Sequence, residues 1–316
     1  MNKVRVGFIG AGRISGLHAA EYLANPRAEI VAVCDADRGI ARRQAALWGV
    51  PDSRVFDSWD ALLAVDEVDA VEILLPHHLH MPATLAALAA GKHTSVQKPM
   101  AHSVADADAM CAAADRAGVA FKVFENFVFY PPVMKAKALI DDGAIGKPLS
   151  IRIKSNPGIG RNAWTVPASA SAWRFARETC GGGPLVFDDG HHKFALGWHF
   201  MGQAEAVHAW IGTTEVERGL LDAPAMISWR FSEGRFGNLE AVYSPRLEID
   251  TATYPQDDRV EITGEEGVIW ITRGHGKIGD QPPVILYRRG ETTGFSDLES
   301  HWDRASSTPP GTGSGR

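Results

Sequence analysis

Three polar residues of this sequence have the chemistry of a proton-transfer site. Asp188 and His192 lie four residues apart in a stretch with helix-forming composition, so their side chains would share one helical face. A histidine titrates near neutral pH and is a reasonable general base, and a nearby carboxylate orients or tunes its ring. Lys98 stands at the end of a predicted strand, where it can hold a hydroxyl and stabilise a developing alkoxide. These residue types suit hydride removal from a carbinol carbon, if a hydride acceptor binds beside them.

The same stretches also allow simpler interpretations. A lysine before a proline at a strand end is usually only a surface lysine. Residues 188–192 contain two aspartates and two histidines, but no third ligand has diagnostic spacing, so we expect no metal. His77, His78 and His80 form another histidine-rich stretch, which we interpret as a loop near a cofactor and not as a ligand set.

A glycine turn near the N-terminus predicts where a hydride acceptor binds. The apolar run of residues 4–9 predicts a buried strand, Gly10 and Gly12 follow it, and a helix-forming segment begins at His18. Strand, glycine turn and helix in this order are typical of dinucleotide binding. Gly10 allows the tight turn, and Gly12 lets the backbone approach a pyrophosphate at the helix N-terminus. Ser15 stands where a third glycine is expected, and serine is small enough for close packing.

An acidic residue indicates which dinucleotide is bound. The apolar run of residues 29–34 predicts a second strand, and Asp35 ends it. An acid about 20 residues after the glycines is positioned to bind the ribose hydroxyls. Because Asp35 would repel a 2′-phosphate, we expect NAD. NADP is the alternative, since Arg38 follows three residues later.

Length, charge and cysteine content narrow the class of protein. A chain of 316 residues is expected to form two domains. The formal net charge of −6, without a Lys/Arg block, argues against a nucleic-acid or membrane partner. We expect no signal peptide, because residue 4 already begins a strand, and no apolar run reaches the about 20 residues of a membrane span. Cys34, Cys111 and Cys180 are far apart and suggest neither disulfides nor zinc, so we expect a cytoplasmic protein.

The order of predicted elements indicates an α/β fold. Strands and helices alternate up to residue 124, which predicts a doubly wound parallel Rossmann sheet and an NAD(P)-binding domain over 1–124. Residues 125–304 predict an α+β domain with helices over 132–141 and 185–201, then consecutive strands in a large, mostly antiparallel open sheet. That sheet could pair with another subunit, so we expect a homo-oligomer, a dimer or tetramer. Residues 305–316 are expected to be disordered.

Several motifs occur in an order that defines a family resemblance. They are Gly10–Ile14 with His18, Pro76 with His80, Ala90–His93, Lys98–Pro99, Gly143–Gly146 and Gly181–Gly183. With them the sequence resembles the glucose–fructose oxidoreductase / inositol dehydrogenase / rhizopine-catabolism (Gfo/Idh/MocA) family from residue 4 to about residue 302. The resemblance implies an NAD(P)-dependent oxidoreductase that transfers hydride between nicotinamide and a ring hydroxyl or ketone of a sugar, inositol or related polyol.

The resemblance also implies site residues. The catalytic set is Lys98, Asp188 and His192. The cofactor-binding set is Gly10, Gly12, Arg13, Ile14, Asp35, Leu75, Pro76, His80, Gln97 and Lys98. Trp173 and Arg174, which precede the glycine triplet as in many family members, either bind substrate or serve packing. Asn126 follows the sixth predicted strand and is a further candidate substrate contact.

This chain departs from the family pattern at three places. Family members usually have Glu-Lys-Pro where this chain has Gln97, and often Thr-Pro-Asn where it has residues 75–77. Asp188 and His192 match the family's Asp and His only if one residue is inserted before them. Without the insertion the pair becomes Phe187 and His191. We prefer Asp188 and His192, which keep both chemical types.

Two other classes of function fit the same expected fold. One is an NAD-dependent glycosidase or lyase that uses transient oxidation. The other is a non-catalytic regulator that senses a nucleotide or sugar, because a fold does not fix a function. The presence of Lys98 and His192 favours an enzyme.

Overall fold

The protein is described from a computed structural model, which covers residues 3–164 and 171–298. The tail expected to be disordered, 305–316, lies outside these residues. Two compact units are present. The first comprises the described parts of Met1–Glu125 and Ser169–Gly182, and the second those of Asn126–Ala168 and Gly183–Arg316. The short segment before the glycine triplet thus joins the first unit, although it lies within the sequence range expected for the second domain.

Strands and helices alternate in the first unit, as the sequence predicts. They are β1 (Val4–Ile9), α1 (Ser15–Ala24), β2 (Ala28–Cys34), α2 (Arg38–Trp48), β3 (Val55–Phe56), α3 (Trp59–Leu63), β4 (Ala70–Ile73), α4 (His80–Ala89), β5 (His93–Gln97), α5 (Val104–Ala117) and β6 (Phe121–Phe124). The six strands form one parallel sheet in the order β3-β2-β1-β4-β5-β6. The predicted doubly wound Rossmann sheet is confirmed.

The core of the first unit lies on both faces of this sheet. Successive strand residues point to opposite faces. Phe8 accordingly packs in one apolar cluster with Ala19 of α1 and Trp48 of α2. Its neighbour Ile9 packs in another cluster that includes Ala83 of α4. A strand buried on both faces needs a continuous apolar run, which explains the composition of β1.

The second unit contains a large mixed sheet and two long helices. Its elements are α6 (Pro131–Asp141), β7 (Pro148–Pro157), β8 (Ile159–Arg161), a π-helical turn (Pro184–Asp189), α8 (Gly190–Met201), β9 (Ala204–Ile211), β10 (Thr214–Val216), β11 (Gly219–Leu221), β12 (Ala225–Phe231), β13 (Phe236–Ala241), β14 (Glu248–Asp250), β15 (Gln256–Gly264), β16 (Gly267–Ile271), β17 (Val284–Arg288) and β18 (Glu291–Phe295). The segment that joins the first unit carries α7 (Arg177–Cys180).

The strand order of the eight-stranded sheet differs from a simple succession of neighbours. The order is β18-β17-β16-β15-β7-β13-β12-β9. β7 comes first in the chain but lies in the middle, antiparallel to β15 and parallel to β13. The sheet is mostly antiparallel, as predicted, but consecutive strands are not all neighbours, because the strands after α8 add on both sides of β7. Local turn signals cannot reveal such an insertion.

One face of this sheet packs against α8, whereas large side chains on the other face are solvent-exposed in the part of the chain that the structure describes. A Cβ on Gly197 of α8 would lie 3.4 Å from the Trp229 ring, so helix and strand are in close contact. On the opposite face Trp210, Phe236 and Tyr287 are 64%, 59% and 42% exposed. Cross-strand pairing puts these three aromatic residues on the same side of the sheet.

Candidate functional site

The glycine turn after β1 has the geometry of a dinucleotide-binding loop. Gly10 has a φ of +99°, and a Cβ there would lie 2.4 Å from the Leu74 carbonyl oxygen, so only glycine fits. Gly12 and Arg13 are exposed, and no atom lies within 4 Å of a Cβ built on Gly12. Ile14 occupies the N-cap position of α1. The backbone can therefore approach a phosphate closely at the helix N-terminus, and these residues fit a dinucleotide.

Asp35 holds the glycine turn to the end of β2. Its carboxylate accepts hydrogen bonds from the backbone N–H of Ala11 at 2.8 Å and of Asp37 at 2.9 Å. Each carboxylate oxygen has a second lone pair for another donor, such as a ribose hydroxyl. The position matches the sequence prediction, and the structure adds a support for the turn.

A buried hydrogen-bond network fixes the strand end that carries Lys98. Gln97 accepts the backbone N–H of Lys98 at 2.7 Å, and its amide nitrogen lies 3.2 Å from Nε2 of His18. The other ring nitrogen of His18 lies 3.1 Å from one carboxylate oxygen of Glu72, and the other oxygen of Glu72 accepts from the Tyr22 hydroxyl at 2.7 Å. Because an amide N–H donates, Nε2 of His18 accepts and Nδ1 donates to Glu72. Lys98 itself is half-buried.

Glu72 was missed by the sequence analysis. Burial raises the pKa of its carboxyl, but the hydrogen bonds from His18 and Tyr22 outweigh burial and keep that pKa below its usual range. The available signal was a single glutamate between apolar residues of β4. A charged side chain in a strand buried on both faces requires partners.

His80 connects the ends of β4 and β5. Its ring is fully buried, with Nδ1 2.8 Å from the carbonyl oxygen of Pro99 and Nε2 2.8 Å from that of Leu75. Because both ring nitrogens face main-chain carbonyls, His80 supports the loops that contain Leu75 and Pro76, which were themselves predicted to bind the cofactor.

Trp173 and Arg174 lie in the first unit. The Trp173 ring meets His77 edge-on, with centroids 4.5 Å apart, and the Arg174 guanidinium lies 4.3 Å from the centre of the Trp173 ring. His77 also contacts the Cys180 carbonyl through Nδ1 at 2.8 Å. The structure therefore brings these two residues to the loop after β4, within the nucleotide-binding unit.

Asp188 lies in a π-helical turn and not in the continuous helix that was predicted. The backbone N–H of Asp188 donates to the carbonyl of Gly183, five residues earlier, at 3.1 Å. This turn, Pro184–Asp189, runs directly into α8 at Gly190. A π-turn closes over one more residue than an α-turn, so it accommodates one extra residue where the family comparison required an insertion.

Asp222 caps the start of this π-turn. Its carboxylate accepts the backbone N–H groups of Leu185, Val186 and Phe187 at 2.7, 2.8 and 3.0 Å. The first N–H groups of a helix have no partner within the helix, and a negative charge there is favourable. A Cβ on Gly183 would lie 2.2 Å from Asp222, so the glycine leaves room for the carboxylate.

His192 lies on α8 and stacks on an aromatic ring. Asp188 and His192 are 6% and 7% exposed. The His192 ring is nearly parallel to that of Phe127, at 22°, with centroids 4.4 Å apart. Asn126, which precedes Phe127, is also buried. The structure thus brings the predicted Asn126, Asp188 and His192 into the second unit, together with a phenylalanine that the sequence analysis did not consider.

A buried charged cluster follows His192. Lys193 is fully buried, and its Nζ lies 3.1 Å from Asp189 and 3.1 Å from Asp258. Asp258 also contacts Nδ1 of His275 at 2.5 Å. Burial raises the pKa values of both carboxyls, but the ammonium of Lys193 outweighs burial and both remain lowered. Burial lowers the pKa of Lys193, but the two carboxylates outweigh it and the pKa is raised. Within the described ranges, no group of His, Cys, Asp or Glu side chains is arranged to hold a metal ion.

Comparison with known protein families shows which family of proteins the chain belongs to. Residues 4–125 match the model of the NAD-binding Rossmann fold of the GFO/IDH/MocA oxidoreductase family, and residues 133–270 match the C-terminal domain of the same family. The chain belongs to this family. The predicted family, the fold class, NAD as cofactor and the NAD-dependent oxidoreductase class are confirmed.

Individual relatives include enzymes with named substrates. Levoglucosan dehydrogenase of Pseudarthrobacter phenanthrenivorans is 28% identical, over 85% of this chain and 73% of the relative. Myo-inositol 2-dehydrogenase of Thermotoga maritima is 27% identical, over 84% of this chain and 75% of the relative. Among solved structures, an NAD-binding oxidoreductase from Klebsiella pneumoniae superimposes with a TM-score of 0.74 at 26% identity, over 95% of this chain and 80% of that one.

Proposed function

We propose that this protein oxidises a ring hydroxyl of a sugar, inositol or related polyol with NAD, or reduces the corresponding ketone. The observation that carries the proposal is the π-turn Pro184–Asp189, because such a turn can hold the one extra residue that is needed to align Asp188 and His192 with the family's Asp and His. The substrate class rests on the relatives, whose names include a levoglucosan dehydrogenase and a myo-inositol dehydrogenase.

The proposed roles follow from the chemistry of each side chain. His192 takes the hydroxyl proton as general base, and Asp188 orients or tunes the imidazole. Lys98 stabilises the negative charge that develops on a substrate oxygen. Bound NAD⁺ supplies the hydride acceptor. The turn after β1 and Asp35 bind the dinucleotide, and Gln97 and His80 support the strand ends beside it.

Trp173, Arg174 and Asn126 remain candidate substrate contacts. Trp173 and Arg174 lie beside His77 in the nucleotide-binding unit, which also suits contact with the nicotinamide half of the cofactor. Asn126 adjoins Phe127, the ring on which His192 stacks, which suits contact with a bound polyol.

A screen for NADH formation tests this function. The purified protein is supplied with NAD⁺ and a panel of cyclitols, pyranoses, anhydrosugars and sugar acids, and NADH absorbance is followed. We expect turnover with at least one ring alcohol, and slower turnover with NADP⁺ because Asp35 repels a 2′-phosphate. Release of an aglycone from a glycoside without net NADH would instead identify a glycosidase or lyase. Tight NAD binding without turnover of any compound would favour a regulator.

The face of the eight-stranded sheet opposite α8 is proposed to bind a second copy of the chain. Three large aromatic side chains, Trp210, Phe236 and Tyr287, are exposed on this face, and aromatic residues are enriched where subunits meet. We expect the wild-type protein to be a dimer or tetramer in light scattering and Trp210→Lys to shift it toward monomer. Leu47→Lys, at an exposed leucine of the first unit, is the matched control and should leave the mass unchanged. A monomeric wild type would contradict this proposal.

The location is proposed to be the cytoplasm. Cys34, Cys111 and Cys180 are all free thiols, as is usual for proteins in reducing compartments. In the part of the chain that the structure describes, no helix is both long and apolar enough to cross a membrane.

A further inference from the structure

Lys193 is a buried charge that the proposed mechanism does not use. It follows His192 directly in the sequence and is fully buried. Its ammonium bridges Asp189, four residues earlier, and Asp258 on the central strand β15, at 3.1 Å each. Placing three charges in the interior is costly unless they are paired and hydrogen-bonded. A neutral apolar side chain would fill this position without the cost of burying a charge, so the presence of an ammonium group there needs a physical explanation.

Phe127 connects Lys193 to His192. The Nζ of Lys193 lies 4.8 Å from the centre of the Phe127 ring, and His192 stacks on the same ring at 4.4 Å. His275, which contacts Asp258, also packs on Phe127 at 5.0 Å. A cation over an aromatic ring attracts it, and the attraction is strongest where water is excluded. The orientation of the Phe127 ring, and with it the surface on which His192 lies, therefore depends on Lys193.

The charges around His192 also depend on Lys193. Asp189 and His192 are close enough to interact electrostatically. Asp189 also interacts electrostatically with Asp258, His275 and Lys193. The other contacts of the two carboxylates are neutral: Gln256 donates to both of them, and Ser155 donates to Asp189. Arg273 lines the same small cavity as Lys193 and Asp258. Without Lys193, the negative charge of Asp189 would act on His192 with less compensation, which favours the imidazolium.

We propose that Lys193 is a positioning residue for His192, holding Phe127 against the imidazole and balancing Asp189 and Asp258 so that the ring can release its proton during turnover. This inference rests on the proposed role of His192 as the base. It assigns the buried cluster to the reaction and not only to folding.

The test is Lys193→Met, which keeps the length of the side chain and removes the charge. We expect kcat to fall by about tenfold or more, because a displaced base is inefficient, while the Kd for NAD changes little. The His192-dependent limb of kcat/KM against pH should move upward by about one unit. An NMR titration of the His192 ring should show the same upward shift without any substrate. An unmoved titration with unchanged kcat would overturn the proposal.

Three further variants separate the possible outcomes. Lys137→Met removes a lysine with the same spacing to an aspartate, Asp141, but on the surface, and should change neither kcat nor the pH profile. Lys193→Met combined with Asp258→Asn restores the charge balance and should return the limb toward the wild-type position.

If Lys193→Met does not fold, Phe127→Leu tests the proposal instead. It should lower kcat and leave the limb in place, and an unchanged kcat would reject the connection through Phe127. If His192→Ala retains full activity, His192 is not the base, and the proposed role on which this inference rests fails.

Discussion

Replacing His192 with alanine is expected to reduce kcat by ~10²-fold or more, whereas His191→Ala should stay within about threefold of wild type. The two histidines are adjacent, but the structure distinguishes them. His192 is buried and stacked on Phe127, whereas the His191 ring is half-buried and lies 6.4 Å from the His192 ring at an angle of 79° to it. Asp188, in the π-turn that leads into α8, precedes His192 by four residues and is the carboxylate proposed to orient its ring.

Each alanine variant serves as the control for the other, because both remove one imidazole from the same turn of α8. Steady-state kinetics with the substrate found in the screen gives kcat and kcat/KM, and NAD affinity is measured by fluorescence titration. We expect the affinity to change little in either variant, since neither histidine is in the nucleotide-binding unit. A damaging His191→Ala with a silent His192→Ala would mean that the insertion is misplaced and that the family position corresponds to Phe187 and His191.

The first unit could be predicted closely because its signals are local. The sequence predicts β1, its turn and α1 from an apolar run, two glycines and a helix-forming segment. The later strands and helices of this unit are predicted from local signals of the same kind. At Gly10 the positive φ and the close approach to Leu74 allow only glycine. The residue type itself therefore predicts the backbone conformation of this turn. The helix boundaries moved by a few residues, with α1 beginning at Ser15 and not at His18.

The supports of the candidate site could not be predicted because they depend on contacts between distant parts of the chain. Asp222 lies 35 or more residues from the N–H groups it accepts, and Asp258 lies further still from Lys193. Nothing local marks these aspartates as buried. Weak signals existed in Glu72 and Lys193, each a charged residue among largely apolar neighbours of a buried element. Such a residue indicates an internal partner without saying which one.

Replacing Lys98 with methionine is expected to lower kcat by ~10²-fold or more while the Kd for NAD rises by less than about threefold. The reason is that the proposed role of the ammonium is to stabilise negative charge on the substrate oxygen, which develops only as the proton leaves. The main chain should stay in place in the variant, because its anchor is the hydrogen bond from the Lys98 N–H to Gln97, with His18 and Glu72 behind it. A loss of turnover would therefore result from the missing Lys98 ammonium and not from a displaced strand end.

The matched control is Lys122→Met, which removes an exposed lysine from the neighbouring strand β6 and should leave kcat within about twofold. The measurement is kcat and KM at saturating NAD⁺, together with the thermal midpoint of each variant. If Lys98→Met recovers wild-type turnover once NAD⁺ is raised, the lysine serves only to bind the cofactor. An interaction made with the reacting oxygen cannot be replaced by more cofactor, so a deficit in kcat that persists at saturation is what distinguishes the two roles.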